Sequence, residues 1–284
     1  MTTVSPASSA AGLPPDILTR LSKQGSIRSF ARNAVLIHEG DDSNSLFVIL
    51  SGRVKVYLSD DNGREITWHY TWDEMANGGY SIWGNGFERA GARIQTLSVA
   101  PTTSGLAGAD VYIIVDPDTP AETPHPNFIS PADIEAITAW VKRGGVLVLM
   151  ANDKGNCEFE HLNQLAAEFG IKFNEDSLNK VQGTQFDQGL VDIAPANAVF
   201  PTARKTYLKE ISSITVTPPA MPLASKDGAV LIATSSFGKG MIFAVGDPWL
   251  YNEYTDGRKL PADFDNFKAM EDLTRWTLTR SQKH

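Results

Sequence analysis

The sequence predicts an α/β fold, a parallel sheet with helices on both faces, preceded by a short all-β region. Two unbroken apolar runs, DVYIIVD at 110–116 and VLVLMAN at 146–152, have the character of strands buried on both faces. Segments of helical period, SPADIEAITAWVKRGG at 130–145 and CEFEHLNQLAAEFG at 157–170, alternate with them. Before residue 67 the pattern differs: short β-prone runs are broken by turn residues, with no such alternation. Three regions follow: a flexible Ser/Ala/Pro-rich tail at 1–14, a truncated β region at 15–67 and the α/β domain at 68–284.

The elements justify themselves in order. PPDILTRLSKQG (14–25) reads as a short helix with proline in its first turn and Ile17, Leu18 and Leu21 on one face. SIRSFARNAVLIHEGD (26–41) reads as strand, turn, strand. SLFVILSGRVKVYLSDDNGREI (45–66) gives two strands about Ser51-Gly52, then a hairpin turn at Asp61-Asn62-Gly63. In the second region WHYTW (68–72) is a short strand, GGYSIWGNGFERAGA (78–92) a loop entering a helix, and RIQTLSV (93–99) a strand. The helix at 130–145 has Ser130 as N-cap, Pro131 at the first position, Asp133 at the third and Gly144 at its close. The next helix carries Phe159, Leu162, Leu165, Ala166 and Phe169 on one stripe. Residues 172–227 read as an irregular insertion with a few short antiparallel strands. AVLIATSSFGKGMIFAVGD (229–247) is a hairpin about Gly238-Lys239-Gly240. The closing helix at 263–280 repeats Phe264, Phe267, Met270, Leu273 and Trp276 every third residue.

Composition excludes several function classes. The net charge is −8; 7 of the 25 Lys and Arg and 7 of the 33 Asp and Glu lie in residues 1–67, so 18 basic and 26 acidic side chains follow. Such a domain repels phosphate backbones, so no nucleic-acid partner is expected. The single cysteine, Cys157, excludes an internal disulfide and a Cys-rich zinc site. His38, His69, His125, His161 and His284 share no metal-ligand spacing, and neither a metal nor a cofactor is implied. The N-terminal stretch lacks a basic start and an apolar core, and no run of ~18 apolar residues occurs. The expected location is therefore the cytoplasm, with no membrane partner.

In the first region Glu39-Gly40-Asp41, Leu46-Phe47-Val48-Ile49 and Ser51-Gly52-Arg53-Val54-Lys55-Val56-Tyr57 resemble the cyclic-nucleotide-binding domain of CRP/FNR-type regulators. In that family the cyclic phosphate is held by a Gly-Glu dipeptide opening a short helix and a following Arg. This sequence has no Gly-Glu dipeptide, and what remains is the first half of a barrel. That half barrel leaves LFVILSGRVKVYL (46–58) as a long apolar edge, open to self-association.

In the second region HYTWDEMANGGYSIWG, VYIIVDPDTPAETPHPNFIS, WVKRGGVLVLMANDKGNCEFEHLNQLAAEFGIKFNEDS and GKGMIFAVGDPWLYNEYTDGRKLP resemble the accessory domain of unsaturated rhamnogalacturonyl hydrolases. That domain belongs to the DUF4350-type, class I glutamine-amidotransferase-like group. The resemblance implies a flavodoxin-like sheet and a role beside carbohydrate-processing enzymes, whose relatives are often exported. The hydrolase's own catalytic barrel is absent, so its activity does not carry over. The amidotransferase-like fold places a nucleophilic Cys at a glycine-flanked elbow. Cys157 stands at the start of a helix, which would lower its thiol pKa, and His161 follows four residues on. Its flanks, however, are Asn156 and Glu158, and Phe159 replaces the elbow glycine.

The candidate ligand-binding residues gather at the predicted carboxyl ends of strands, where open α/β sheets bind ligands. They are Asp116 and Asp118 in VDPDT, Asn152 and Asp153 in MANDKGN, and Asp247, Trp249, Tyr251 and Asn252 in GDPWLYNEY. Gly78, Gly79, Tyr80 and Ser81 in NGGYS form a strand–helix loop at the same end. Carboxylates, amides and aromatic faces together suit a saccharide, while each Asp serves equally well as a helix cap or turn residue. The leading expectation is a non-catalytic saccharide-binding or accessory domain. The alternatives are a hydrolase or amidase using Cys157 and a cyclic-nucleotide-responsive regulator.

Overall fold

The computed structural model describes residues 58–59, 65–66, 70–123 and 125–281. The chain divides into two units, Met1–Thr67 and Trp68–His284. In the first, strands β1 (Leu58–Ser59) and β2 (Glu65–Ile66) pair antiparallel, bracketing the predicted hairpin turn. The helix expected at 14–25 and nearly all of the apolar edge at 46–58 lie outside the described residues.

The second unit is mixed α/β. Its main sheet is built on β3 (Val111–Val115), β4 (Val146–Met150) and β11 (Gly240–Val245), with β4 parallel to both neighbours. The other half is antiparallel. There β10 (Ala229–Phe237) pairs with β11, with β9 (Met221–Lys226) and with β8 (Ile214–Val216), and β8 pairs with β5 (Ile171–Phe173). The expectation of a parallel sheet is thus corrected: three strands are parallel. The short hairpin turn at Gly238 folds β10 back beside β11, and β8 and β9 come from the insertion at 172–227. The rest of that insertion forms a 3₁₀ turn (Phe186–Gly189) and a two-stranded sheet of β6 (Leu190–Asp192) and β7 (Lys205–Tyr207).

Strand alternation separates the two faces. Val146, Val148 and Met150 pack with Trp83 and Phe87 of α1 (Ser81–Arg89) and with Ala269, Met270 and Leu273 of α5 (Asn266–Arg280). Leu147 and Leu149 pack with Ile137, Trp140 and Val141 of α2 (Pro131–Lys142) and with Leu162, Leu165 and Ala166 of α3 (Phe159–Ala167). Helices therefore cover both faces. The start of α2 is a full capping box: Ser130 Oγ accepts from Asp133 N at 3.3 Å, and Asp133 Oδ2 accepts from Ser130 N at 2.8 Å. A short helix α4 (Asn252–Thr255) follows β11. Among the described residues no helix is long and apolar enough to cross a membrane.

Three local expectations fail for physical reasons. RIQTLSV is not a strand: Leu97 and Val99 face solvent, and only Ile94 of this stretch reaches the core. Residues 70–72 are not strand either, because Tyr70 takes a left-handed backbone (φ 59°) that ends extended structure. On α5 a spacing of three drifts by about 60° per step against the 3.6-residue turn. Met270, Leu273 and Trp276 are buried while Phe267 points outward, 39% exposed.

Ser130→Ala removes one capping acceptor and is expected to cost about 1 kcal/mol. Leu149→Ala, in the double-sided core, is expected to cost about 2–5 kcal/mol. Urea denaturation of both variants at pH 7 checks the magnitudes and their order.

Candidate functional site

The three parallel strands end at one level. Val115 and Val245 are both in register with Met150, and the ladder runs one residue further through Asp116 N to Met150 O (2.8 Å) and Ala151 N to Val245 O (2.9 Å). The polar residues that follow, Asp116, Asn152, Asp153 and Asp247, are therefore delivered to one end of the sheet. Gly246 lets the chain turn there: a Cβ at this position would lie 1.8 Å from Ser212 O.

Asn152 ties the strand ends together. Its Nδ2 donates to Asp116 Oδ2 at 2.8 Å, and its Oδ1 accepts from Asp153 N at 2.8 Å. Asp153 accepts from Asn156 Nδ2 at 2.6 Å and from the Ser177 hydroxyl. Asp247, 3% exposed, accepts from the Tyr251 hydroxyl and from Lys209 N, each at 3.2 Å. Asp116 Oδ1 is buried with no donor in good geometry, although the Tyr70 hydroxyl acts on this carboxyl from nearby.

Asp153 and Asp247 are buried, and Asp116, half-buried as a residue, has its Oδ1 out of water. Burial pushes Asp116 up from 3.8 to about 7, against the hydrogen bonds of Asn152 and Tyr70 that favour its ionised form. Burial also drives Asp247 well above its ordinary value, with the Tyr251 hydrogen bond and the Lys209 charge opposing and the Asp116 charge adding to the rise. Tyr70 and Tyr251 stack with ring centroids 5.5 Å apart, and burial raises both phenols.

A cleft of about 200 Å³ opens here. Of the predicted residues it brings together Gly78, Asn152, Asp153, Asp247 and Tyr251. It adds Tyr70, Asn156, Lys209, Glu210, Glu253 and Tyr254, which sequence reasoning did not select. Of these Asn156 alone carried a local signal, standing three residues beyond Asp153 as an amide donor. Backbone strain concentrates at the same place. Of the five non-glycine residues with positive φ among those described, Tyr70 (59°) and Glu210 (50°) line the cleft and Asp116 (43°) lies behind it.

The other predicted residues do different work. Asn252, 1% exposed, donates through Nδ2 to Glu74 O (2.9 Å), Ala76 O (2.9 Å) and Ser81 Oγ (3.0 Å), while Oδ1 accepts from Ile82 N (3.0 Å). It clamps the loop before α1 to the start of α4, and its N–H donates to Gly79 O at 2.9 Å. Gly79 has no room for a side chain, since a Cβ would meet Glu74 O at 1.9 Å. Tyr80 is core, its hydroxyl donating to Pro248 O at 2.8 Å. Trp249 is fully buried edge-on to Phe200 and offers no free face. Asp118 is exposed in the loop beyond β3 and accepts from the Thr123 hydroxyl.

Cys157 reverses the sequence expectation. It is buried just before α3, and burial, then the charge of Asp116, pushes its thiol up rather than down. Glu158, not Cys157, is the N-cap. His161 Nδ1 lies 3.0 Å from Glu158 Oε1, and its ring stacks on Phe128 at 4.7 Å. Glu158, Glu160 and His161 are the one set of three or more metal-ligand side chains among the described residues whose ligand atoms lie within 4.8 Å of one another. Glu158 is already occupied in capping.

The second unit is thus an α/β domain with a polar, carboxyl-rich cleft at the ends of its parallel strands. Residues 75–256 match the family described as "Domain of unknown function (DUF4350)", more than half of the chain, and the chain belongs to that family. Residues 27–92 match the family described as "Cyclic nucleotide-binding domain". No curated protein matches the chain. Among solved structures, the mmIFT52 N-terminal domain is similar at TM-score 0.56 and 19% identity, over 70% of this chain and 89% of that one. The cytoplasmic protein STM1381 from Salmonella typhimurium LT2 is similar at TM-score 0.50 and 14% identity, over 71% and 87%. A β-galactosidase from Rahnella sp. R3 gives TM-score 0.45 and 18% identity, over 70% of this chain but 27% of that one. At these identities the likeness to the first two is one of fold alone.

Two expected outcomes test the site's construction. Asn252→Ala strands Glu74 O, Ala76 O and Ile82 N in a half-buried loop and is expected to cost about 1–3 kcal/mol, because water can reach part of what the amide releases. Asn252→Asp should not rescue it, because a carboxylate cannot donate to the two carbonyls. Urea denaturation of the two variants measures both. Asp116 holds its proton in the folded state up to about pH 7 but in the unfolded chain only to its ordinary value, 3.8. Its contribution to stability is full below about pH 4 and is lost as pH rises through 7, on the order of a few kcal/mol. Thermal melts at constant ionic strength should show stability falling from pH 5 to 8, and a shallower fall in Asp116→Asn. An unchanged slope in the variant would remove Asp116 as the cause.

Proposed function

We propose that the second unit is a non-catalytic ligand-binding or accessory domain whose cleft at the strand ends takes a small polyhydroxylated ligand, a saccharide unit or chain end. One observation carries the reading: Asn152, Asp153, Asp247, Tyr70 and Tyr251 line or edge one cleft. Carboxyl and amide groups exchange hydrogen bonds with hydroxyls, and phenol rings cover a sugar's C–H face. The cleft is smaller than the ~300–1,000 Å³ of ordinary small-molecule pockets, which suits a single ring.

The fold supports a narrower relationship, to the class I glutamine-amidotransferase-like accessory domains of unsaturated rhamnogalacturonyl hydrolases. Its support is the quoted sequence segments, the three parallel strands with helices on both faces, and a crevice at their carboxyl ends. On this reading the uronyl part of such a chain is disfavoured, because the cleft is rich in carboxyls. A nucleophilic role for Cys157 gains nothing from its buried position.

Differential scanning fluorimetry of the full chain with neutral hexoses, rhamnose and rhamnogalacturonan oligosaccharides tests the reading. Ligand at a hundred times Kd should add about 2.7 kcal/mol, a shift of several degrees. Tyr251→Phe, which removes one hydroxyl from the cleft, should reduce the shift. Absence of any shift across the panel would falsify the reading.

A further inference from the structure

Asp247, 3% exposed, has one donor on each oxygen, both at 3.2 Å, so it keeps unused acceptor capacity. Asp116 Oδ1, behind Asn152, is buried without a donor in good geometry. Asp153, Glu210 and Glu253 add three more carboxyls to the lining, against a single lining cation among the described residues, Lys209. Lys209 Nζ is itself engaged with Glu210 Oε2 at 2.9 Å, and Glu253 with Lys259 Nζ at 2.9 Å. The wall beside Asp247 is aromatic, with Tyr70 and Tyr251 stacked and Tyr254 5.6 Å from Tyr251. Carboxyls beside phenol faces, with little competing positive charge, are the surroundings that hold an organic ammonium.

A metal ion fits less well. A divalent cation needs oxygens converging at about 2.0–2.6 Å from one point. Asp116, Asp153 and Asp247 are not among the groups whose ligand atoms lie within 4.8 Å of one another. An ammonium carried on a ring can reach one carboxyl while its hydroxyls reach Asn156 and Lys209.

We propose that the cleft selects a ligand bearing a primary ammonium beside its hydroxyls, an amino sugar or amino polyol, and rejects the corresponding uronate. The inference rests on the saccharide reading of the same cleft. When such a ligand binds, its ammonium donates to Asp247 and supplies the positive charge that the buried carboxyls lack. An anionic sugar brings a further negative charge to the same wall.

Isothermal titration calorimetry on the full chain at pH 7 tests this with three matched sets of probes. They are the 2-amino-2-deoxy hexoses, the parent hexoses and the hexuronates, each in the gluco, galacto and manno configurations. In the configuration that binds, the amino sugar is expected to bind at least tenfold tighter than the parent hexose, and the uronate weaker than the hexose. Asp247→Asn should bring the amino-to-hexose ratio towards one. Lys209→Gln removes the lone cation while keeping the backbone N–H to Asp247, so it should raise the ratio, and it serves if Asp247→Asn does not fold. Equal binding of amino sugar and hexose, tighter binding of the uronate, or a ratio unmoved by Lys209→Gln overturns the inference and leaves the saccharide reading standing. Failure of every probe to bind overturns both.

Discussion

The register of three parallel strands is the constraint on which the rest of the domain depends. Because Val115, Met150 and Val245 lie level, the first polar residues beyond them emerge together instead of scattering along the sheet. β4 can hold the central place because it is apolar at every position, so its two faces bury against different helices at once. The hairpin through Gly238 and Gly240 then brings β11 alongside, and with it Asp247. A slip of one residue in β11 would exchange Phe243 and Ala244 between the two cores and move Asp247 away from Asn152's side of the cleft.

Grouping carboxyls at a dry strand end opposes folding, and the domain offsets this locally. Asn152 satisfies two partners with one side chain, Lys209 offers both an N–H and a charge, and Asn252 fixes the loop that carries Gly78. The left-handed backbones of Tyr70, Asp116 and Glu210 add strain at the same place. A structure selected for stability alone has no reason to keep raised carboxyls, strained bulky residues and an open cleft together. Their coincidence is what supports the proposal that this end of the sheet takes a ligand.

Much of this was legible in the sequence wherever a local pattern had a local cause. The capping box of α2, the double-sided burial of VLVLM and the Gly238 hairpin each follow from a few adjacent residues, and all are present. So is the gathering of Asn152, Asp153, Asp247 and Tyr251, because strand ends of parallel sheets share one edge. What the sequence hid depends on distant partners. Asn252 and Trp249 look like ligand groups in GDPWLYNEY, yet one is spent on carbonyls 178 and 176 positions away in sequence and the other on Phe200. Lys209 and Glu210 reach the cleft because the insertion folds back along β10. RIQTLSV is rich in β-formers, but propensity does not supply the neighbour that a ladder needs.

Residues 75–92 match both families, and packing decides which unit holds them. Trp83 is fully buried in the second unit and donates through Nε1 to Thr274 Oγ1 at 3.0 Å; Phe87 packs beside it, and Gly86 brings α1 close to Met270 of α5. A helix committed to that core cannot also supply strands to a nucleotide-type barrel, whatever its sequence resembles. A barrel of that kind would have to close without residues 81–89 and bind its phosphate without the Gly-Glu cassette, which the sequence lacks. Cutting the chain by sequence likeness would divide α1 from the core it completes. The cut that respects the buried aromatic contacts falls between Thr67 and Trp68, where the two units meet in the chain.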